Sequence, residues 1–314
     1  MLKYLLDKLE SLSIDYLLLG NKDNDLPLSL PAERLTKIES SNLLKREKVI
    51  KRWVDFFTVT SILCFGNFGT LSRHDVPVYV YFHNPHLLEL KSDEPLYKKI
   101  YLTIGLRSVT KYFFQTEVVR DKFCRAYKFP RQKTELMPFY DTRNLKPKAS
   151  SSKLSEAVFV YNSLPYKHKN YENLLKAWVF LAEENFFPKL YVTTPQKFLG
   201  QVCELPKLDN IINLGFVTHG EILDVMRSST HCIFPSLKES FGLGLIESAE
   251  LGLQVIASDL PYVYQVIEPS AVFDPLDYRS IAGTVKSIVE GKKFPPTRLK
   301  VRNEIDGFIS RVTT

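Results

Sequence analysis

The sequence predicts an α/β protein of two doubly wound parallel-sheet domains facing each other across a cleft, and three observations carry that expectation. Its 314 residues suit two domains at roughly 150 residues each. Short strand-like apolar runs alternate with helix-spaced segments, the pattern of a parallel sheet covered on both faces. A hydrophobic fraction of 45%, with 21 Phe and 16 Tyr, is enough for buried cores and excludes a disordered or fibrous chain.

The first half opens on residues 2–12, where Leu2, Leu5, Leu6 and Leu9 recur at helical spacing among Asp7, Lys8 and Glu10. The interleaved charges make this an amphipathic helix and not a secretory signal. DYLLLG (15–20) reads as a strand, and a basic helix follows, with Lys45, Arg46, Lys48, Lys51 and Arg52 beside Trp53, Phe56 and Phe57. TSILCFG (60–66), VPVYVYF (76–82) and YFFQT (112–116) read as strands, with helices over 95–111 and 117–127. The polar segment 145–156, with its run Ser150, Ser151, Ser152, places the domain boundary at 149/150. Domains of 1–149 and 150–314 result, the second ending in a helix expected to pack back on the first. Beyond the boundary, AVFVYN (157–162), KLYVTT (189–194), NIINLGF (210–216), HCIFPS (231–236), QVIASD (254–259) and AVFD (271–274) read as strands. Helices are expected near 171–184, 219–228, 243–252, 262–268 and 278–290, with Thr218 and Glu221 forming a capping box.

The net charge of +7 is one-sided: residues 1–150 hold 25 basic and 17 acidic side chains, residues 151–314 hold 17 and 18. A basic half raises affinity for anionic lipid or phosphorylated substrates, and the helix around Lys45 to Arg52 looks like one lying on an anionic membrane. No helix-turn-helix, zinc-finger or RNA-binding sheet signature points to nucleic acid. The four cysteines, Cys64, Cys124, Cys203 and Cys232, show no paired spacing and fit a reducing cytoplasm. No apolar run approaches the roughly 20 residues of a spanning helix.

Residues 235–259, PSLKESFGLGLIESAELGLQVIASD, hold the densest chemistry. A strand ends in a loop carrying Glu239, then Phe241-Gly242-Leu243-Gly244, then a helix bearing Glu247 in about its first turn. Glycines at a strand-to-helix turn let backbone N–H groups approach an anion, to which the helix N-terminus adds partial positive charge. Glu247 suits a ribose hydroxyl pair and Glu239 a sugar hydroxyl, each as an acceptor. Lys169, in His168-Lys169-Asn170 after the strand at 157–162, is a cation suited to a diphosphate. Asp23-Asn24-Asp25, the nearest approach to a metal-binding triplet, reads as a turn.

The 235–259 stretch resembles the C-terminal signature of retaining GT-B glycosyltransferases, in particular glycosyltransferase family 4, the glycosyl transferases group 1. Pro235, Ser236, Glu239, Phe241, Gly242, Glu247, Gly252, Val255, Ile256, Ala257, Ser258 and Asp259 fall on its pattern, while Gln254 stands where the family usually has Pro. Lys169 occupies the place of the lysine in the family's H-K-N or E-K-N motif, and Leu214 to Val217 with Glu221 to Leu223 match its L-G-F-V then E-L.

The resemblance implies two Rossmann-like domains and transfer of a sugar from a UDP- or GDP-linked donor to a lipid-linked saccharide of O-antigen, capsule or exopolysaccharide type. It implies no metal and no cofactor, with charge neutralisation by Lys169 and work at the inner membrane face. Donor-binding residues would be Lys169, Asn170, Glu239, Ser240, Phe241, Gly242, Leu243, Gly244 and Glu247. The strand-end segment at 82–89 looks like the family's histidine segment, making His83 a catalytic candidate beside Lys169 and Glu239. Gly66, Asn67, His83 and Asn84 would shape the acceptor cleft, and Gln115-Thr116 resembles a further cleft segment. Two departures stand out: Tyr161, Asn162 and Ser163 stand where the family has a Gly-Arg pair, and the sequence opens directly at the helix, so the first domain is expected to lack the family's first strand and Gly-rich loop unless the true start lies upstream of Met1. Those departures favour an alternative, a non-catalytic subunit binding a nucleotide sugar or only a partner enzyme, which the intact Glu239, Glu247 and Lys169 oppose; an epimerase of the same fold is a third option.

Overall fold

The computed structural model describes residues 1–21, 33–39, 43–89, 94–146, 156–195, 198–199 and 208–314. Contacts divide the chain into two compact units: Met1–Asp141 with Arg302–Thr314, and Thr142–Val301. The 149/150 boundary expected from the sequence, Asp23-Asn24-Asp25 and Cys203 lie outside the described residues.

In the first unit the elements run α1 (Leu2–Ser11), β1 (Leu18–Asn21), β2 (Leu35–Ile38), α2 (Leu43–Phe56), β3 (Ile62–Cys64), β4 (Val78–Phe82), α3 (Leu96–Gly105), β5 (Lys111–Phe114), α4 (Glu117–Tyr127) and β6 (Thr134–Leu136). Strands β3-β4-β5-β6 form a parallel sheet in that order. Side chains alternate across a strand, so VYVYF and KYFF feed two cores. Val78, Val80, Phe82, Tyr112 and Phe114 meet Leu102 of α3 and Phe123 of α4 on one face. Tyr81 and Phe113 meet Tyr4, Leu5 and Leu9 of α1 on the other. Strands β1 and β2 pair parallel with each other and join no other strand among the described residues.

The expected helix over 95–111 stops at Gly105, because Thr110 N–H already bonds the carbonyl of Val78 and commits the chain to β5. Gly69 approaches the end of α3 so closely that a Cβ there would collide with Val109.

The second unit runs β7 (Val158–Tyr161), α5 (Tyr171–Glu183), β8 (Lys189–Val192), β9 (Ile211–Asn213), α6 (His219–Ser228), β10 (His231–Phe234), α7 (Leu243–Glu250), β11 (Gln254–Ser258), α8 (Val263–Val266), β12 (Ile267–Glu268), β13 (Ala271–Phe273), α9 (Tyr278–Val289) and β14 (Arg298–Leu299). Its parallel sheet has the order β13-β11-β10-β7-β8-β9. The chain builds outward from β7 through β8 and β9, then restarts on the opposite side at β10. The helix expected over 262–268 ends at Val266, since Ile267 and Glu268 pair antiparallel with β14.

The last helix, α10 (Ile305–Thr313), belongs to the first unit. Ile305, Phe308, Ile309 and Val312 enter the core of α1, with Phe308 stacked on Phe139 and edge-on to Tyr81 and Phe113. Lys8–Asp306 at 3.2 Å and Arg311–Glu135 at 3.0 Å flank it.

Candidate functional site

Open parallel sheets bind ligands beyond the carboxyl ends of strands where the strand order reverses. In the second unit that point lies between β7 and β10, which pair directly. The segments leaving these two strands carry Lys169 and Glu239, and the structure joins them: Lys169 Nζ donates to Glu239 Oε1 at 2.5 Å. Both side chains are largely buried, which strengthens the mutual attraction and raises the cost of leaving either one unpaired. An ammonium has three donors, so two remain for an anion.

The surroundings hold this geometry. Asn170 turns left-handed (φ 58°) at the start of α5, and its amide donates to the carbonyls of Pro235 (3.1 Å) and Pro275 (2.7 Å). Tyr161, buried at the end of β7, donates to the carbonyl of Lys169 at 2.8 Å and lies 3.0 Å from Ser236 Oγ. Leu237 N–H bonds the carbonyl of His168, and Tyr262 Oη donates to the carbonyl of Ser236. The lysine turn and the glutamate loop are thus laced together at backbone level. Lys238 lies in the same loop, and burial pushes its ammonium below the usual lysine range.

Beyond Glu239, Ser240 is half-buried and Phe241 is buried as an anchor. Gly242 adopts φ +73°, a conformation that costs any residue with a Cβ, and this turn starts α7 without a side-chain cap. The first amides of the helix, at Leu243 and Gly244, accordingly face outward from an N-terminus with no capping side chain, an arrangement suited to phosphate. Glu247 is the fifth residue of α7, at the start of its second turn. Its Oε1 is 2.9 Å from His219 Nε2, on the first residue of α6.

In the first unit the expected acceptor residues also meet. Gly66 and Asn67 follow β3, and Asn67, buried at φ 73°, accepts from His83 N–H (2.7 Å) and Asn84 N–H (2.9 Å) beyond β4. Asn84 Oδ1 caps the turn at 85–88, and its amide donates to Glu94 at 2.7 Å. The His83 ring tilts against Phe65, and burial holds its imidazole below the usual histidine range, so it is neutral at neutral pH. Gln115 is buried with its amide on Met1 Sδ, and Thr116 serves as the cap of α4.

One basic residue contradicts its sequence reading. Arg46 is not on the surface of α2 with its neighbours. Its guanidinium turns inward to Tyr101 Oη (2.9 Å), the carbonyls of Phe68 and Gly69 in the loop after β3, and Cys64 Sγ. It therefore positions the 66–69 loop. His219 is the other residue the sequence reading missed; the capping box around it was legible, but its partner on α7 was not.

Among the described residues no group of three or more His, Cys, Asp or Glu is placed to hold a metal ion, and no helix is long and apolar enough to cross a membrane. Cys64, Cys124 and Cys232 are free.

Comparison with known proteins follows these features. The profile of the family described as Glycosyl transferases group 1 matches residues 142–305. The O-antigen chain mannosyltransferase RfbU of Salmonella typhimurium (strain LT2) is 23% identical over 222 residues, 70% of this chain and 60% of that protein, so the match spans three fifths of the relative's length. Among solved structures, a sucrose-phosphate synthase from Thermosynechococcus elongatus superposes with a TM-score of 0.72 at 14% identity, covering 92% of this chain and 83% of the other. A glycosyltransferase from Rickettsia africae ESF-5 gives 0.70 at 17% identity, covering 92% and 84%. The shared fold is GT-B.

Proposed function

The chain belongs to the glycosyl transferases group 1, and from that premise we propose that it moves a sugar from a UDP- or GDP-linked donor to a lipid-linked saccharide in O-antigen, capsule or exopolysaccharide assembly. Transfer proceeds with retention of configuration, without a metal ion or cofactor, at the cytoplasmic face of an anionic membrane. The observation that carries this reading is the Lys169–Glu239 pair at the strand-order reversal, beside the N-terminus of α7. The likeness to an O-antigen mannosyltransferase supports the acceptor class.

The donor diphosphate takes the two remaining Lys169 donors and the amides of Leu243 and Gly244. Glu247 accepts from the ribose hydroxyls, and the second oxygen of Glu239 accepts from a hydroxyl of the transferred sugar. The bond from the anomeric carbon to the phosphate oxygen breaks, the bond to the acceptor oxygen forms on the same face, and the acceptor's proton passes to the departing diphosphate. Lys169 neutralises the charge that develops there. Neutral His83, seated by Asn67, hydrogen-bonds a sugar hydroxyl on the acceptor side.

Thermal unfolding against a panel of UDP- and GDP-linked sugars tests the donor site. One nucleotide series raises the unfolding temperature; saturation at a hundredfold excess over Kd corresponds to about 2.7 kcal/mol. The shift disappears in Lys169→Ala and Glu247→Ala. No shift with any donor would overturn the reading in favour of a non-catalytic subunit.

A further inference from the structure

Helix α3 carries an apolar face that is left exposed among the described residues. Leu96, Tyr97, Ile100 and Ile104 are between 50 and 70% exposed. They follow the i, i+1, i+4, i+8 spacing of one helical stripe, which Thr103 and Arg107 complete. The opposite face, Tyr101, Leu102 and Gly105, is buried. The helix contains no acidic residue. Four large apolar side chains in a row exceed the scattered exposure normal for a surface.

Beside it runs α2, tied to α3 through Arg46 and Glu47, both bonded to Tyr101 Oη. Arg46 also bonds Cys64, a member of the core that α3 covers, so the two helices lie on the same face of the sheet. With Arg46 and Glu47 turned inward, the outer side of α2 shows Lys45, Lys48, Lys51 and Arg52 against Asp55 alone. Lys48, Lys51 and Arg52 form no ion pair among the described residues. Leu44 and Phe56, 72 and 79% exposed, stand at either end of this cationic face.

An interfacial helix normally carries both faces itself, apolar on one side and basic on the other. Here the two roles are split between neighbours. We infer that the outer faces of α3 and α2 dock on an anionic bilayer, α3 burying Leu96, Tyr97, Ile100 and Ile104 among the acyl chains and α2 setting its cations on the lipid headgroups. Charge complementarity selects this occupant: Lys48, Lys51 and Arg52 flank the apolar stripe, and an anionic surface satisfies them together. The inference rests on the lipid-linked acceptor proposed above, and names the surface that would bring the enzyme to it.

Sedimentation with vesicles of 40% phosphatidylglycerol in phosphatidylcholine tests it, using the full chain. Binding is expected to anionic vesicles, to be at least tenfold weaker on pure phosphatidylcholine, and to fall with added salt. Ile100→Glu with Ile104→Glu abolishes it. Lys48→Glu with Lys51→Glu weakens it at least tenfold, since each cation near an anionic surface contributes about fivefold. Donor-induced thermal stabilisation, read on the same samples, stays unchanged in both pairs, because none of these residues belongs to the donor site. No binding by the unaltered chain, or binding that survives the α3 substitutions, overturns the inference. So does a concentration-dependent dimer, without vesicles, that Ile100→Glu disperses, because a second copy would then cover the face. Vesicle binding without any donor shift would instead sink the donor reading and leave the docking surface standing.

Discussion

The two units hold their candidate groups by different physics. In the second unit the contacts run between polar side chains of different segments: the Lys169 ammonium on the Glu239 carboxylate, and the His219 ring on Glu247, each pair joining segments that leave different strands. In the first unit the work falls to a neutral side chain, Asn67, whose oxygen gathers two backbone amides, with Arg46 bracing the loop from behind. A site for an anionic diphosphate needs cations, and cations in a partly buried place need counter-charges while the ligand is away. A site for sugar hydroxyls, as proposed for the first unit, needs placement more than charge, and the two backbone amides held by Asn67 would supply it.

Removing the key group on each side should therefore have unlike effects. Lys169→Ala is expected to lower kcat about 10²- to 10³-fold, the cost of losing one charge-stabilising donor, in a radiolabelled sugar-transfer assay. Asn67→Ala should act on the fold first, costing about 1–3 kcal/mol in urea unfolding because two amide donors lose their acceptor; Asn67→Asp, which keeps the oxygen, should recover much of it. Gly242→Ala is expected to cost about 1–2 kcal/mol by the same measurement, since φ +73° strains any Cβ. If Asn67→Ala left stability intact and abolished only transfer, the contrast between the units would collapse.

The smallest effect is in acid. Burial holds both His83, in the first unit, and His231, in the second, below the usual histidine range. The unfolded chain takes up protons near pH 6.5, before the folded chain does, so their contribution is complete above that pH and is lost as pH falls toward the lower folded values. Chemical denaturation between pH 7.5 and 5 should show stability declining, and His83→Asn and His231→Gln should each flatten the slope.

Much of the second unit was legible in the sequence. Lys169, Glu239, Gly242 and Glu247 lie in two short stretches punctuated as strand, loop and helix, so local pattern was enough to nominate them. The first unit was less so. Asn67 reaches residues 16 and 17 positions away, and its role depends on β3 and β4 lying side by side. Strands β2 and β6, four and three residues long, were too short to leave a periodic signal.

What the sequence determined by itself is the alternation of strands and helices, the glycine turn into α7, and the nomination of Glu239 and Glu247 in one stretch and Lys169 in another, because each is a property of a few adjacent residues. The tertiary structure decided which of the α2 cations face water, that α3 is left with an uncovered apolar stripe, that Glu247 answers to His219, and that the last helix completes the first core. Periodicity reveals which face of an element is apolar or charged, but what stands opposite that face depends on contacts between residues far apart in the chain, and Arg46, one of five similar basic residues, turned inward because the carbonyls of Phe68 and Gly69 were waiting there.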